Sequence, residues 1–351
     1  MTDTAHAPIR LTQLAHGGGC GCKIAPGVLE KILAKTAPAF MPPQLLVGIE
    51  TSDDAAVWKL NDAQAIIATT DFFMPVVDDP HHFGQIAATN AISDIYAMGG
   101  SPLFALAIVG MPVAKLETDT IRQILEGGES VCAKGRIPIA GGHTIDSLEP
   151  IYGLVVIGLV RPDQIKRNFG AKPGDKLILG KGLGVGIYSA AFKKEMLHPH
   201  HYEAMIASTT QLNTPGPALA CLEGVHALTD VTGFGLAGHL LEICKASGVS
   251  ARLDFDALPI LPNVLEYARD GFVTGASTRN LQSYGERLEL DARFGEAERL
   301  LLADPQTSGG LLVACAPETV TEVLSIFLQQ GFERASVVGE ITEGAATLSV
   351  V

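Results

Sequence analysis

With 351 residues, 47% of them hydrophobic, the chain is long enough for about two domains with cores of their own. A formal charge of −13 with no local Lys/Arg cluster excludes a nucleic-acid partner, and the longest apolar run, Leu154–Val160, is far short of a membrane span. The first fifteen residues carry neither the basic nor the apolar region of a signal peptide, so the six cysteines (20, 22, 132, 221, 244 and 315) are expected to stay reduced in a cytoplasmic protein.

Residues 1–45 read as a weakly structured lead holding "HGGGCGCKIAP" (His16–Pro26) and a short amphipathic helix over Gly27–Lys35. The Cys-x-Cys spacing is too short for a zinc half-site, and a Cys20–Cys22 disulfide would close a strained ring. A nucleophile, or a ligand for a soft atom, is left. Lys23 can lower the pKa of the Cys20 thiol electrostatically, and Gly17, Gly18, Gly19 and Gly21 free the backbone around it. Composition alone equally suits a disordered tail in which the cysteines have no role.

Residues 46–160 alternate strand-length apolar runs ("AIIATT", "LFALAIV", "IYGLVVIGLV") with helical stretches ("FGQIAATNAISDIYAM", "ETDTIRQILEGGESVCAK"), which predicts an α/β or α+β domain. Asp53 and Asp54 head one strand and Asp71 ends another, while Asn90 and Asp94 share a helix face. Gly141, Gly142 and His143 leave a short strand, where backbone N–H groups can meet a phosphate, although a plain tight turn accounts for the glycines as well. No Walker A sequence is present.

Arg161–Lys176 is the candidate linker, and residues 170–351 form the second domain, with strands and helices mixed. In "GKGLGVG" the glycines fall at alternate positions, which fits close helix packing better than a dinucleotide fingerprint. "LTDVTGFGLAGH" places Asp230 before a glycine-rich helix entry, and "DPQTSGGL" is a turn or a ligand loop. His198–Tyr202, "HPHHY", is expected to be a solvated loop.

Any single aspartate among these is well explained as a turn or capping residue. Together, Asp54, Asp71, Asp94 and Asp230 sit beside apolar, glycine-rich backbone with few cations to pair with, so a hard cation such as Mg²⁺ is their natural partner.

In that order, "HGGGCGCKIAP", "ETSDDAAV", "ATTDFFMP", "ATNAISDIYAMGG", "AGGHTID", "LTDVTGFGLAGH" and "DPQTSGG" resemble the selenophosphate synthetase (selenide, water dikinase) family over essentially the whole chain. They resemble more distantly the wider aminoimidazole ribonucleotide synthetase-like group. The resemblance implies an α/β plus α+β two-domain architecture, an N-terminal domain forming an intersubunit β-barrel in a homodimer, and a flexible glycine-rich N-terminal segment. It further implies ATP and selenide as substrates and Mg²⁺ as cofactor. Position by position, Cys20 and Lys23 match the family's catalytic pair. Lys23, Thr51, Asp71, Asp94, Gly141, Gly142 and His143 match its nucleotide-contacting positions, and Asp54, Asp94 and Asp230 its metal ligands.

Two other readings stay open on sequence. One is an ATP-dependent kinase or synthetase of the same architecture, for which Cys20 is incidental; the other is a thiol carrier of sulfur or selenium. The adenine product separates the first from the dikinase, and metal-dependent ATP turnover argues against the second.

Overall fold

The computed structural model describes residues 9–24, 26–33, 40–48 and 53–351. Beyond the lead and helix α1 (Pro26–Leu33), the first half comprises β1 (Leu45–Val47), β2 (Ala56–Lys59), β3 (Ala65–Phe73), α2 (Pro80–Ala97), β4 (Ser101–Met111), α3 (Thr118–Lys134), β5 (Ile139–Asp146) and β6 (Ile151–Val160). The strands form one open sheet in the order β1-β2-β3-β6-β4-β5, antiparallel except for the β4–β5 pair.

Alternation in β3 decides what this sheet covers. Ile67, Thr69, Asp71 and Phe73 are buried on the side of the helices, while Thr70 and Phe72 are exposed on the other side. In register, Ile66 lies between Trp58 and Leu159, Thr70 beside Val155 and Phe72 beside Gly153, so the second face is largely apolar, and no described element covers it. The helix layer is tightly packed: a Cβ at Gly84 would fall 1.9 Å from the Ile124 carbonyl oxygen, so α2 and α3 approach backbone to backbone only because glycine stands there.

After a connection over residues 161–175, the second half runs β7 (Lys176–Leu179), α4 (Val185–Lys193), α5 (Pro199–Thr209), α6 (Gly216–Ala220), β8 (Val225–Asp230), α7 (Gly235–Ser247) and β9 (Ser250–Leu253). It continues with α8 (Val264–Arg269), α9 (Gly275–Tyr284), β10 (Leu288–Leu290), α10 (Glu296–Leu302), β11 (Leu311–Cys315), α11 (Val320–Gln329), β12 (Ser336–Thr342) and β13 (Leu348–Val350). Its seven strands pair in the order β10-β13-β9-β12-β7-β11-β8. The sheet is antiparallel apart from the two pairings of β13.

His198–Tyr202 departs from the loop expected of it. Pro199 opens α5 with His198 as N-cap, and His201 stacks on Tyr188 while its ring meets the Tyr267 hydroxyl at 2.9 Å. His198 and His200 are exposed, but His201 packs its ring on Tyr188 and Tyr267 and Tyr202 stacks on Phe192, tertiary contacts with α4 and α8 that periodicity does not carry. The "GKGLGVG" glycines serve packing as expected: Gly184 adopts φ +117° over Val264, and Gly186 lies against Asp304.

Candidate active site

Helix α2 is buried along almost its whole length, so its polar residues Asn90 and Ser93 are closed off from bulk water and Asp94 is largely so. Spaced three and four apart, they share one face, and that face looks toward β3 and β8. Buried polar groups persist only when their hydrogen bonds are made, so each partner there is informative.

Asn90 is the hub. Its Nδ2 donates to Asp71 Oδ2 at 2.6 Å, and its Oδ1 accepts from the Cys20 thiol at 3.1 Å and from the Ser308 backbone N–H at 2.7 Å. Lys23 Nζ reaches the same Asp71 oxygen at 3.0 Å, with the lysine stem partly exposed and its ammonium turned inward. Cys20 of the lead is thus joined through one amide to Asp71 of β3, which Lys23, three residues beyond the cysteine, holds directly.

The lead is held in place from both halves of the chain. Gly19 donates to the Met74 carbonyl at 2.9 Å, and Cys20 N–H donates to Thr307 Oγ1 at 3.0 Å. Gly19 has φ +54°, and a Cβ on it would lie 2.2 Å from Thr307 Oγ1, so the residue before the cysteine has to be glycine on both counts. Upstream, Arg10 pairs with Asp78 at 2.6 Å and with Glu195, while Arg279 donates to the Gly21 carbonyl at 3.1 Å. Here the described part of the glycine-rich lead is docked across both domains.

Packing also reverses the expected effect on the thiol. Cys20 is 1% exposed, and burial pushes its pKa far above the ordinary thiol value; Lys23 opposes that shift but does not overcome it. The charge beside Cys20 was legible in the sequence, but the depth of burial was not.

The carboxylates lie next to this cluster. Thr229 donates to Asp54 Oδ1 at 2.9 Å, Thr69 donates to Asp94, and Ser93 donates to Asp230. Burial, and then the charges of Asp230 and Asp94, hold the Asp54 carboxyl well above its usual range; burial, with Asp230 and Asp71, does the same to Asp94. Asp230 is raised chiefly by burial. Lys23 is raised as well: burial lowers it, but Asp71, Cys20 and Asp94 outweigh that and keep it protonated.

Gly141, Gly142 and His143 lie along the exposed edge strand β5 rather than beyond its end, and they line a groove of about 430 Å³ with Glu126 and Glu129. A Cβ at Gly142 would meet the Ala107 carbonyl oxygen at 2.1 Å, so this glycine admits β4 at close range. Thr51 lies outside the described residues. Asp53, beside Asp54, accepts the Asn168 backbone N–H at 2.8 Å and ties the linker to the first domain.

Thr307, Ser308 and Lys181 escaped the sequence reading. The "DPQTSGG" loop reads in the sequence as a turn or ligand loop, but that its Thr307 and Ser308 clasp Cys20 and Asn90 depends on contacts more than 200 residues apart. Lys181, buried and with its pKa pulled down to about 7 by burial, braces this loop from behind through the Ser308 carbonyl at 3.0 Å.

This two-domain fold, with acidic groups gathered where its halves meet, matches a known class. Residues 52–160 match the family model described as AIR synthase related protein, N-terminal domain, and residues 172–350 match the corresponding C-terminal domain. The thiamine-monophosphate kinase of Stenotrophomonas maltophilia shares the fold with a TM-score of 0.65 at 21% identity, over 94% of this chain and 96% of that one. Within that class the sequence relatives are specific. The selenide, water dikinase of Dechloromonas aromatica is 67% identical over 343 residues, covering 98% of this chain and 99% of its own. That of Pseudomonas straminea is 62% identical over 342 residues, covering 97% and 96%. The chain belongs to the selenide, water dikinase family.

Proposed function

We infer that the chain makes selenophosphate from selenide and ATP, with Cys20 and Lys23 as its catalytic pair. ATP, selenide and water give selenophosphate, AMP and phosphate. A Se–P bond forms as the γ-phosphoryl group leaves ADP, and water then takes the β-phosphoryl group of that ADP, releasing AMP. The observation that carries the residue assignment is the convergence of Cys20 and Lys23 on Asp71 through Asn90.

Phosphoryl transfer asks the protein chiefly for positioning and for positive charge near the transferring group. Lys23 supplies a fixed ammonium, and its bond to Asp71 aims that charge. Cys20, closed off from solvent, marks where selenide is received and kept from water. Lys23, Thr51, Asp71, Asp94 and the Gly141–His143 stretch are assigned to ATP.

A hard cation fits the carboxylates. Asp54 Oδ2 is buried with no hydrogen-bond partner, and three neighbouring carboxyls raised by burial call for a positive charge. Among the described residues no three His, Cys, Asp or Glu side chains stand as a ready-made cage, so Mg²⁺ would draw its remaining ligands from water and phosphate. Asp54, Asp94 and Asp230 would hold it, and bound there it offsets the negative charge on the phosphates.

The uncovered sheet face around Trp58, Phe72 and Val155 supports a homodimer in which two such sheets close into a barrel. No described helix is long and apolar enough to cross a membrane, and a reducing cytoplasm suits the free thiols.

Phosphorus NMR of the protein with Mg²⁺·ATP and selenide under anaerobic conditions tests the reading. Selenophosphate and AMP are expected, and Cys20→Ser abolishes both while ATP still binds. ADP as the sole adenine product would instead favour an ordinary kinase.

A further inference from the structure

Each of the three carboxylates assigned to the cation takes a hydroxyl on one of its oxygens, and two of those bonds cross between the domains in opposite directions. Ser93, on α2 of the first domain, serves Asp230 at the end of β8 in the second. Thr229, on β8, serves Asp54 of the first domain at 2.9 Å. Thr69, on β3, serves Asp94 on α2.

The direction of these bonds is fixed by chemistry. With the cation bound the three carboxylates are ionised and can only accept, so the hydroxyl donates. For Ser93 the surroundings enforce the same sense: Asn213 Nδ2 donates to the Gly309 carbonyl at 2.9 Å, which sets the amide's orientation, and that same Nδ2 donates to Ser93 Oγ at 2.7 Å. The hydroxyl proton of Ser93 is then free for Asp230. Ser93, Asn213 and Thr229 are essentially inaccessible to solvent, so water does not take over these bonds.

We propose that Thr69, Ser93 and Thr229 are positioning residues for the cation: each engages one carboxylate oxygen and leaves the other to the metal. Asp54 shows the result directly, with Oδ1 on Thr229 and Oδ2 buried without a partner. Because Ser93 and Thr229 reach across the domain boundary reciprocally, the full ligand set exists only when the two domains are docked. The proposal rests on Asp54, Asp94 and Asp230 being the cation ligands.

The experiment is Mn²⁺ binding to the nucleotide-free protein, followed by electron paramagnetic resonance, with melting curves in EDTA and in Mn²⁺. Outer hydrogen bonds to metal ligands typically tune affinity by about 10- to 100-fold. Ser93→Ala and Thr229→Val are expected to weaken Mn²⁺ binding by about tenfold or more and to lose most of the Mn²⁺-induced rise in melting temperature. Thr229→Ser, which keeps the hydroxyl, restores both. Thr69→Val, on a different strand, is the further variant should either of the others fail to fold. Wild-type Mn²⁺ affinity in any hydroxyl-deleted variant that folds overturns the proposal. Failure of the wild-type protein to bind Mn²⁺ would instead remove the ligand assignment beneath it, and the proposal with it.

Discussion

The Cys20 thiol donates to Asn90 Oδ1 across 3.1 Å, and that oxygen also holds the Ser308 N–H of the second domain at 2.7 Å. One amide oxygen therefore joins the N-terminal lead, the first domain and the second. In this arrangement the cysteine is a buried hydrogen-bond donor, not a free thiolate, and its reactivity is gated by the docking of the lead.

Alkylation measures that gate. Burial holds Cys20 far above the ordinary thiol value of 9.0, so the folded protein keeps its proton as pH rises through the range where an unfolded chain releases it. Iodoacetamide at pH 8 to 9 is expected to label exposed Cys221 and spare Cys20, with Cys20 labelled only after denaturation. Peptide mass spectrometry showing Cys20 modified in the native protein as fast as Cys221 would refute the buried-donor state.

Gly19 tests whether the docked lead is the working one. An alanine there must hold φ near +54°, at about 1–2 kcal/mol, and its Cβ would overlap Thr307 Oγ1. Gly19→Ala is expected to cut selenide-dependent AMP release by about 100-fold, since misplacing a catalytic group by about 1 Å can cost that much, while the melting temperature changes little. Adding Thr307→Ala removes the closest clash and should recover part of the rate. A single mutant with normal turnover means that the lead works from another position.

Asp304 gives stability a defined pH dependence. Buried at the start of α4, it accepts the Gly186 and Ile187 N–H groups at 2.9 and 3.2 Å, yet burial dominates and lifts its pKa from 3.8 to about 7. Between those values the folded chain keeps a proton that the unfolded chain has released, so stability falls as pH rises through the window and the loss is complete above about 7. A change of that size corresponds to about 4 kcal/mol. In Asp304→Asn the fall between pH 4 and 7 should be shallower by an amount of this order, read from denaturant midpoints at each pH. Parallel curves for the two proteins would show that Asp304 ionises normally.

Local signals carried much of this molecule. The apolar run Ile151–Val160 coincides with β6 because a strand buried on one side and flanked on both edges needs nothing beyond β-branched and aliphatic residues. Asp54, Asp71, Asp94 and Asp230 stood out because carboxylates are rare inside apolar segments, and the structure brings them to the seam between the domains. The long-range partners were not visible. Thr69, Ser93 and Thr229 look like ordinary strand and helix residues; the packing of α2 on β3 makes the first an anchor, and the docking of the two domains the other two. Cys20 shows the same limit in reverse: Lys23 was adjacent and legible, whereas the burial that overrides it comes from Asn90 and Thr307, 70 and 287 residues away.

The lead's attachment points predict how it moves. Its inner anchors are hydrogen bonds around Cys20, and its outer anchor is Arg10, which spans Asp78 and the exposed Glu195. The Glu195 half of this anchor is exposed and the Asp78 half only partly buried, and ion pairs near the surface contribute little and are screened by salt, so the outer anchor is the one that a single substitution or moderate salt loosens first. Arg10→Ala is therefore expected to speed proteolysis near Gly17–Gly19 in the nucleotide-free protein, while the global melting temperature stays nearly unchanged. If the segment closes over bound nucleotide, Mg²⁺·ATP slows cleavage in both proteins, and proportionally more in the variant, whose lead spends more time undocked. Cleavage equally fast with and without Mg²⁺·ATP would mean that the lead is a fixed strap, and selenide would then have to reach Cys20 through the docked structure.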